Sequence, residues 1–241
     1  MTSIDEVEGI ILSSMEYKEN DCIVHIACED KIISFIAKGA LKQNAKNRIL
    51  IHPFSYVHIS LTQTKFPVLT NGHVIESFYR IQENLEAQCI CNVLKDCLIR
   101  SVPTKEILNH FKKMLSMFHE NNPKAITMAC VCLKDILKQD GFAMHVTDCV
   151  LCHSKKNIET ISIDDGGFLC CSCNIQNHPR YHKNELIQYY SLFQFKEEKL
   201  SEFIDYYTFD VNQFCFLMKW YCHHEQIQLN SFIFLQSILN L

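Results

Sequence analysis

Two cysteine pairs constrain this chain more than any other feature. Residues 149–173 read CVLCHSKKNIETISIDDGGFLCCSC, so Cys149 and Cys152 form one C-x2-C and Cys170 and Cys173 a second, with seventeen residues between them. A tetrahedral zinc takes four soft ligands. Two residues between cysteines let the backbone turn around the metal, and this double spacing falls in the zinc-site window. Gly166–Gly167 suits a tight reversal just before the second pair. The expected ligands are Cys149, Cys152, Cys170 and Cys173, with Zn2+ as a structural cofactor. Cys171 offers a competing C-x-C arrangement with Cys173, and His153 and His178 are alternates. Four cysteines close the metal shell, whereas a catalytic zinc keeps one position open. Neither pair is preceded by proline, as the zinc deaminase signature requires.

The rest of the chain changes period once. Residues 1–80 read as strands: Glu6–Met15, Ile23–Cys28, Ile32–Ala37, Tyr56–Thr62 and Phe66–Phe78. In the fourth, Val57, Ile59 and Leu61 point one way and Tyr56, His58, Ser60 and Thr62 the other. Pro67 suggests the start or an edge of the fifth. Five such strands suit a small closed barrel, and the OB-fold is the commonest such barrel that binds nucleic acid. After residue 80 apolar positions recur at helical spacing. Leu85, Cys89, Val93 and Cys97 mark one helix, and Ile107 to Phe118 a second. A third is capped by Asn122, has Pro123 at its first turn, and ends at Gly141. More helix follows residue 183. The expected fold class is α+β: an N-terminal five-stranded OB-fold β-barrel (1–80), then an all-helical domain (81–241) carrying an inserted four-cysteine zinc module at about 147–178.

The chain has 241 residues, and 48% are hydrophobic, which is enough for a real core. Of its fourteen cysteines, those outside the pairs lie mostly in apolar runs, such as Cys89, Cys91, Cys130, Cys132, Cys215 and Cys222, and read as reduced, buried small hydrophobes. The opening MTSIDEVE is not a secretory signal, and no stretch approaches the roughly 18 apolar residues of a membrane span, so a cytoplasmic protein without membrane contact is expected. The motifs GxxxxGK[ST], GxSxG and HExxH are missing and the acidic residues are scattered, so no enzyme is indicated.

Net charge is −4, which argues against nucleic-acid binding until its distribution is read. The 45 residues from Lys31 to Ile75 hold Lys31, Lys38, Lys42, Lys46, Arg48 and Lys65 and no acid, leaving −10 elsewhere. Lys38, Lys42, Lys46 and Arg48 crowd the stretch between the third and fourth strands, residues 38–53, where they are expected to contact phosphates. Tyr56 and Phe66 are candidates for stacking bases.

Local sequence adds a resemblance. EGIILSSMEYKENDCIV near the start, AKGALKQNAKNR (Ala37 to Arg48), His52–Pro53–Phe54 and GGFLCCSC resemble successive motifs of the bacterial RecO family, in order along essentially the whole chain. The chain departs from the family pattern at Leu41, often basic there, in its acidic net charge, and in the extra Cys171. The resemblance implies an OB-fold that binds single- and double-stranded DNA and anneals complementary strands. It also implies partnership with RecR and with single-stranded DNA-binding protein, to help load the RecA recombinase at the bacterial nucleoid. The competing readings are a zinc-stapled protein-interaction adaptor and an RNA-binding OB-fold protein.

Overall fold

The computed structural model describes residues 4–240; residues 1–3 and 241, the outer ends of the two expected domains, lie outside the described residues. The described chain forms two compact units, one of residues 4–125 with 230–240 and one of residues 126–229.

In the first unit, alternating segments form strands β1 (Ile4–Tyr17), β2 (Asp21–Cys28), β3 (Lys31–Ala37), β4 (Ser55–Thr62) and β5 (Leu69–Ser77). They make one antiparallel sheet in the order β3-β2-β1-β4-β5. In β4 the expected alternation holds: Val57, Ile59 and Leu61 are buried, and Tyr56, His58, Ser60 and Thr62 are half-buried. The ladder is not closed. Ile36 and Val68 form a single parallel bridge, and the Ile36 N–H donates to the Pro67 carbonyl at 2.9 Å. An OB-fold is consistent with this order and with this parallel return of the fifth strand beside the third.

The sheet curls around a core of Val7, Ile11, Val24, Ile26, Phe35 and Ile59 with their neighbours. A register shift between Ile11 and Ser13 on β1 leaves Leu12 as a bulge. Ile10 and Leu12 are also buried, so this part of β1 is covered on both sides. The basic stretch is not all loop. Lys46–Ile51 forms a 3-10 turn whose Leu50 and Ile51 enter the barrel core. The fifth strand starts at Leu69 rather than Phe66: Pro67 has no N–H for the ladder, and residues 63–68 form a loop.

Three helices complete this unit: α1 (Leu85–Arg100), α2 (Lys105–His119) and α7 (Asn230–Leu239), with α7 against α1. Asn84 and Thr104 start the first two by accepting the N–H groups of Ala87 and Ile107 at 3.0 and 3.3 Å.

The second unit begins one residue into α3 (Ala125–Gln139), which follows a turn in which the Asn122 side chain accepts the Lys124 N–H at 2.9 Å. Gly141, at φ +84°, ends the helix as expected. A hairpin of β6 (Ile158–Ser162) and β7 (Gly167–Cys170) comes next, then α4 (Lys183–Gln194), α5 (Leu200–Tyr206) and α6 (Val211–His224). Outside the pairs, Cys89, Cys91, Cys130, Cys132 and Cys215 are buried and Cys222 is half-buried. Burial pushes the Cys91 and Cys130 thiols up, so they stay neutral.

Candidate metal centre and nucleic-acid interface

The two cysteine pairs meet at the base of the β6–β7 hairpin. Each makes its own tight turn: the His153 N–H donates to the Cys149 carbonyl at 2.8 Å, and the Cys173 and Asn174 N–H groups both donate to the Cys170 carbonyl at 3.0 Å. The turns are locked together, with Val150 N–H donating to the Phe168 carbonyl and Cys171 N–H to the Asn157 carbonyl, each at 2.9 Å. Gly167 permits the approach. A Cβ there would lie 2.3 Å from the His145 carbonyl oxygen, so no side chain fits where the chain before Cys149 crosses β7.

The result is a four-sulfur cluster. The Sγ atoms of Cys149, Cys152, Cys170 and Cys173 all lie within 4.8 Å of one another, and Cys152 and Cys170 are 3.6 Å apart. A disulfide would need about 2.05 Å. A regular tetrahedron with metal–sulfur bonds of about 2.3 Å has edges of roughly 3.8 Å, so the donor set fits zinc in size and chemistry.

The electrostatics fit as well. Burial pushes the Cys149 thiol up, but the N–H groups of Cys170, Cys152 and Leu151 aimed at its sulfur outweigh this and hold it down to about 6. Cys173 is pushed up to about 12, first by its hydrogen bond to Cys152. Without a cation, thiols this close share protons; a bound dication deprotonates them. Among the described residues the alternates are not in the cluster. Cys171 is exposed with its sulfur turned to Ser172 Oγ, and His153 Nδ1 faces Asp148 at 3.4 Å.

Asn174 was not legible as a positioning residue. It is buried, donates to Glu159 Oε1 and to the His178 carbonyl, and accepts the His178 N–H at 2.8 Å, which folds residues 174–180 back onto β6.

Three hydrogen-bonded links gather the loops at one end of the barrel. Leu41 N–H donates to the Asn20 carbonyl at 3.0 Å, Gly39 N–H to Asp21 Oδ1 at 2.8 Å, and Ile36 N–H to the Pro67 carbonyl at 2.9 Å. The β1–β2 turn, the Lys38–Lys42 segment and the loop 63–68 are thereby tied together. Lys38, Lys42 and Lys65 are exposed, and Phe66 is 68% exposed, with Lys65 Nζ 5.9 Å from its ring centroid. Lys18, in the β1–β2 turn, is a further cation here that the sequence did not single out.

Lys46 and Arg48 sit farther along, exposed on the 3-10 turn. None of Lys38, Lys42, Lys46 and Arg48 has an ion-pair partner among the described residues. Tyr56 is placed differently, near the start of β4. Lys112 Nζ lies 3.9 Å over its ring, and its hydroxyl donates to Glu8. Burial, then that bond, pushes its phenol up to about 12.

No helix among the described residues is long and apolar enough to cross a membrane. Comparison with known proteins finds "Recombination protein O N terminal" over residues 1–78 and "Recombination protein O C terminal" over residues 80–203. A protein of Clostridium perfringens named DNA repair protein RecO is 30% identical over 176 residues, covering 70% of this chain and 71% of its own. Proteins of that name from Syntrophomonas wolfei and Bacillus subtilis are each 25% identical, covering 70% of this chain and 69% of their own. The two matches run through the barrel and through both cysteine pairs of the hairpin, and on that ground the chain belongs to the RecO family of DNA repair proteins.

Proposed function

We propose that this chain is a non-enzymatic DNA-repair mediator. It binds single-stranded DNA, and double-stranded DNA through the same phosphate contacts, at the loop end of its barrel. It anneals complementary strands and, with RecR, helps load the RecA recombinase onto DNA coated by single-stranded DNA-binding protein. This reading also puts the protein in the cytoplasm, at the nucleoid.

The observation that carries it is the tied loop end. Lys38, Lys42 and Lys65 stand exposed beside an exposed Phe66, with Lys46 and Arg48 on the adjoining turn. Cations without acidic partners beside an exposed aromatic ring suit a single strand, because lysines displace the counterions condensed on the phosphates and any base can stack on the ring. Phe66 is the better stacking residue, since Lys112 covers one face of Tyr56. Zinc, held by Cys149, Cys152, Cys170 and Cys173, would supply a structural cross-link between the two turns of the hairpin. Four thiolates leave no place for a reacting water.

The test is annealing of two complementary strands precoated with single-stranded DNA-binding protein, with and without this chain, across a salt series. Acceleration at low salt that fades as salt rises is expected. No acceleration at any salt, with folded metal-loaded protein, would favour the protein-interaction adaptor. Preference for an RNA oligonucleotide in competition would favour the RNA-binding reading.

A further inference from the structure

The second unit holds a cavity of about 610 Å³ between the metal hairpin and α4. One wall is a single stripe of α4: Lys183, Leu186, Ile187 and Tyr190, at spacings of three and four residues. The facing wall brings Lys155, Asn157 and Arg180 from the hairpin and the segment after it, over a floor that includes buried Phe168.

The charge in this cavity is one-sided. Lys155, Arg180 and Lys183 line it, against the single carboxylate of Glu159. Glu159 is already engaged, accepting from Arg180 Nε at 3.2 Å and from Asn174 at 3.0 Å. The nearest acid on α4, Glu185, is turned back to accept the His182 N–H at 2.8 Å. Lys155 and Lys183 are exposed and have no ion-pair partner among the described residues. At the far end of the stripe Tyr190 is 46% exposed. Seven helical residues place it about 10 Å from Lys183, the length of about three nucleotides in a stacked strand.

We propose that this cavity is a second single-strand nucleic-acid site, in which Lys183, Lys155 and Arg180 take phosphates and Tyr190 stacks a base. The inference rests on the mediator reading and deepens it. An annealing protein has to manage two strands, and the barrel end accounts for one. Cations spread along a groove that ends in an exposed ring form the stack-and-phosphate pattern of strand binding. An acidic peptide would use the same cations and is the alternative the experiment separates.

The experiment cross-links thiothymidine-substituted oligo(dT) to the full chain under near-ultraviolet light and maps the adducts by peptide mass spectrometry. Three proteins are compared: the natural chain, the barrel variant Lys42→Gln/Arg48→Gln, and the cavity variant Lys155→Gln/Lys183→Gln/Tyr190→Ala. All five substituted side chains are exposed, and metal content with thermal unfolding verifies that each variant folds. The natural chain is expected to give two adduct regions, one at the Phe66 loop and one at Tyr190. The cavity variant should lose the second, bind strand there about tenfold more weakly, and keep the first. The barrel variant should do the reverse. Adducts at the barrel alone would overturn this inference and leave the mediator reading standing. No adduct anywhere would overturn both. A fluorescent acidic peptide bound by the natural chain and lost only in the cavity variant, with no DNA adduct there, would make the cavity a peptide groove instead.

Discussion

Charge removal from the barrel loops tests the DNA reading quantitatively. Lys38, Lys42, Lys46 and Arg48 are exposed and unpaired among the described residues, so each is free to displace a counterion from a phosphate. For single strands the logarithm of affinity falls by about 0.7 per contacted phosphate for each decade of salt. If all four side chains reach phosphates, the slope is about −2.8, and affinity drops roughly 50-fold between about 50 and 200 mM salt. Lys42→Gln/Arg48→Gln halves the number of contacts. Its slope should be about −1.4, and its loss over the same range only about sevenfold. Fluorescence anisotropy of a labelled oligo(dT), titrated at several salt concentrations, measures both slopes. Lys199→Gln is the control: Lys199 is exposed but paired with Glu202 at 3.3 Å, belongs to the second unit, and does not line the cavity of Lys155 and Lys183. A double variant with unchanged slope, equal metal content and equal thermal stability would remove these loops from the DNA interface.

Other outcomes can be checked separately. Phe66→Ala should weaken single-strand binding by about 1–3 kcal/mol with no change in thermal unfolding, because the ring is mostly exposed; a lowered melting temperature would instead make Phe66 a packing residue. Chelation, or Cys152→Ser, should release one metal per chain and raise amide exchange in residues 145–180 while leaving β1–β5 protected, since no residue of the sulfur cluster belongs to the first unit. Cobalt substitution should give the visible spectrum of a tetrahedral thiolate site, and an octahedral spectrum would refute the four-sulfur shell. Gly9→Ala should cost the barrel about 1–3 kcal/mol in denaturant unfolding, because the new Cβ would lie 2.2 Å from the Ala27 carbonyl oxygen.

A pH effect belongs to α6. Burial, then the charge of neighbouring His223, pulls His224 below the ordinary imidazole value, against an opposing pull from Asp164 and a backbone bond to Ile163. The folded state therefore takes up its proton later than the unfolded state. The stability associated with neutral His224 is complete above about pH 6.5 and is lost as pH falls below it toward the folded value. Unfolding midpoints of the natural chain and of His224→Gln should converge as pH falls through that window; parallel curves would show that His224 does not set the dependence.

Much of this protein was legible in its sequence because the relevant physics is local. The period of two places Val57, Ile59 and Leu61 on the inside of β4, since adjacent residues of a strand face opposite ways. A cap follows from one side chain and an N–H two or three residues later, as at Asn122. Each C-x2-C turn is likewise a matter of four or five residues, so the four cysteines could be named as a group before the sulfurs were seen together.

What tertiary structure decided lies between distant residues. Phe66 leaves the expected strand for a loop because Pro67 spends its carbonyl on Ile36, 31 positions earlier. Tyr56 loses one open face to Lys112, 56 positions later, on a helix whose approach to β4 no window of sequence contains. The 3-10 turn at Lys46–Ile51 forms where Leu50 and Ile51 can close the barrel core, so its hydrophobic pair finds its purpose only when five strands surround it. The cavity beside the β6–β7 hairpin has the same origin. Lys155, Arg180 and Lys183 are ordinary surface charges along the chain, and they face one space only because the folded hairpin stands against α4. Side-chain periodicity and turn chemistry act over a few residues, whereas which groups end up facing each other depends on where the chain returns.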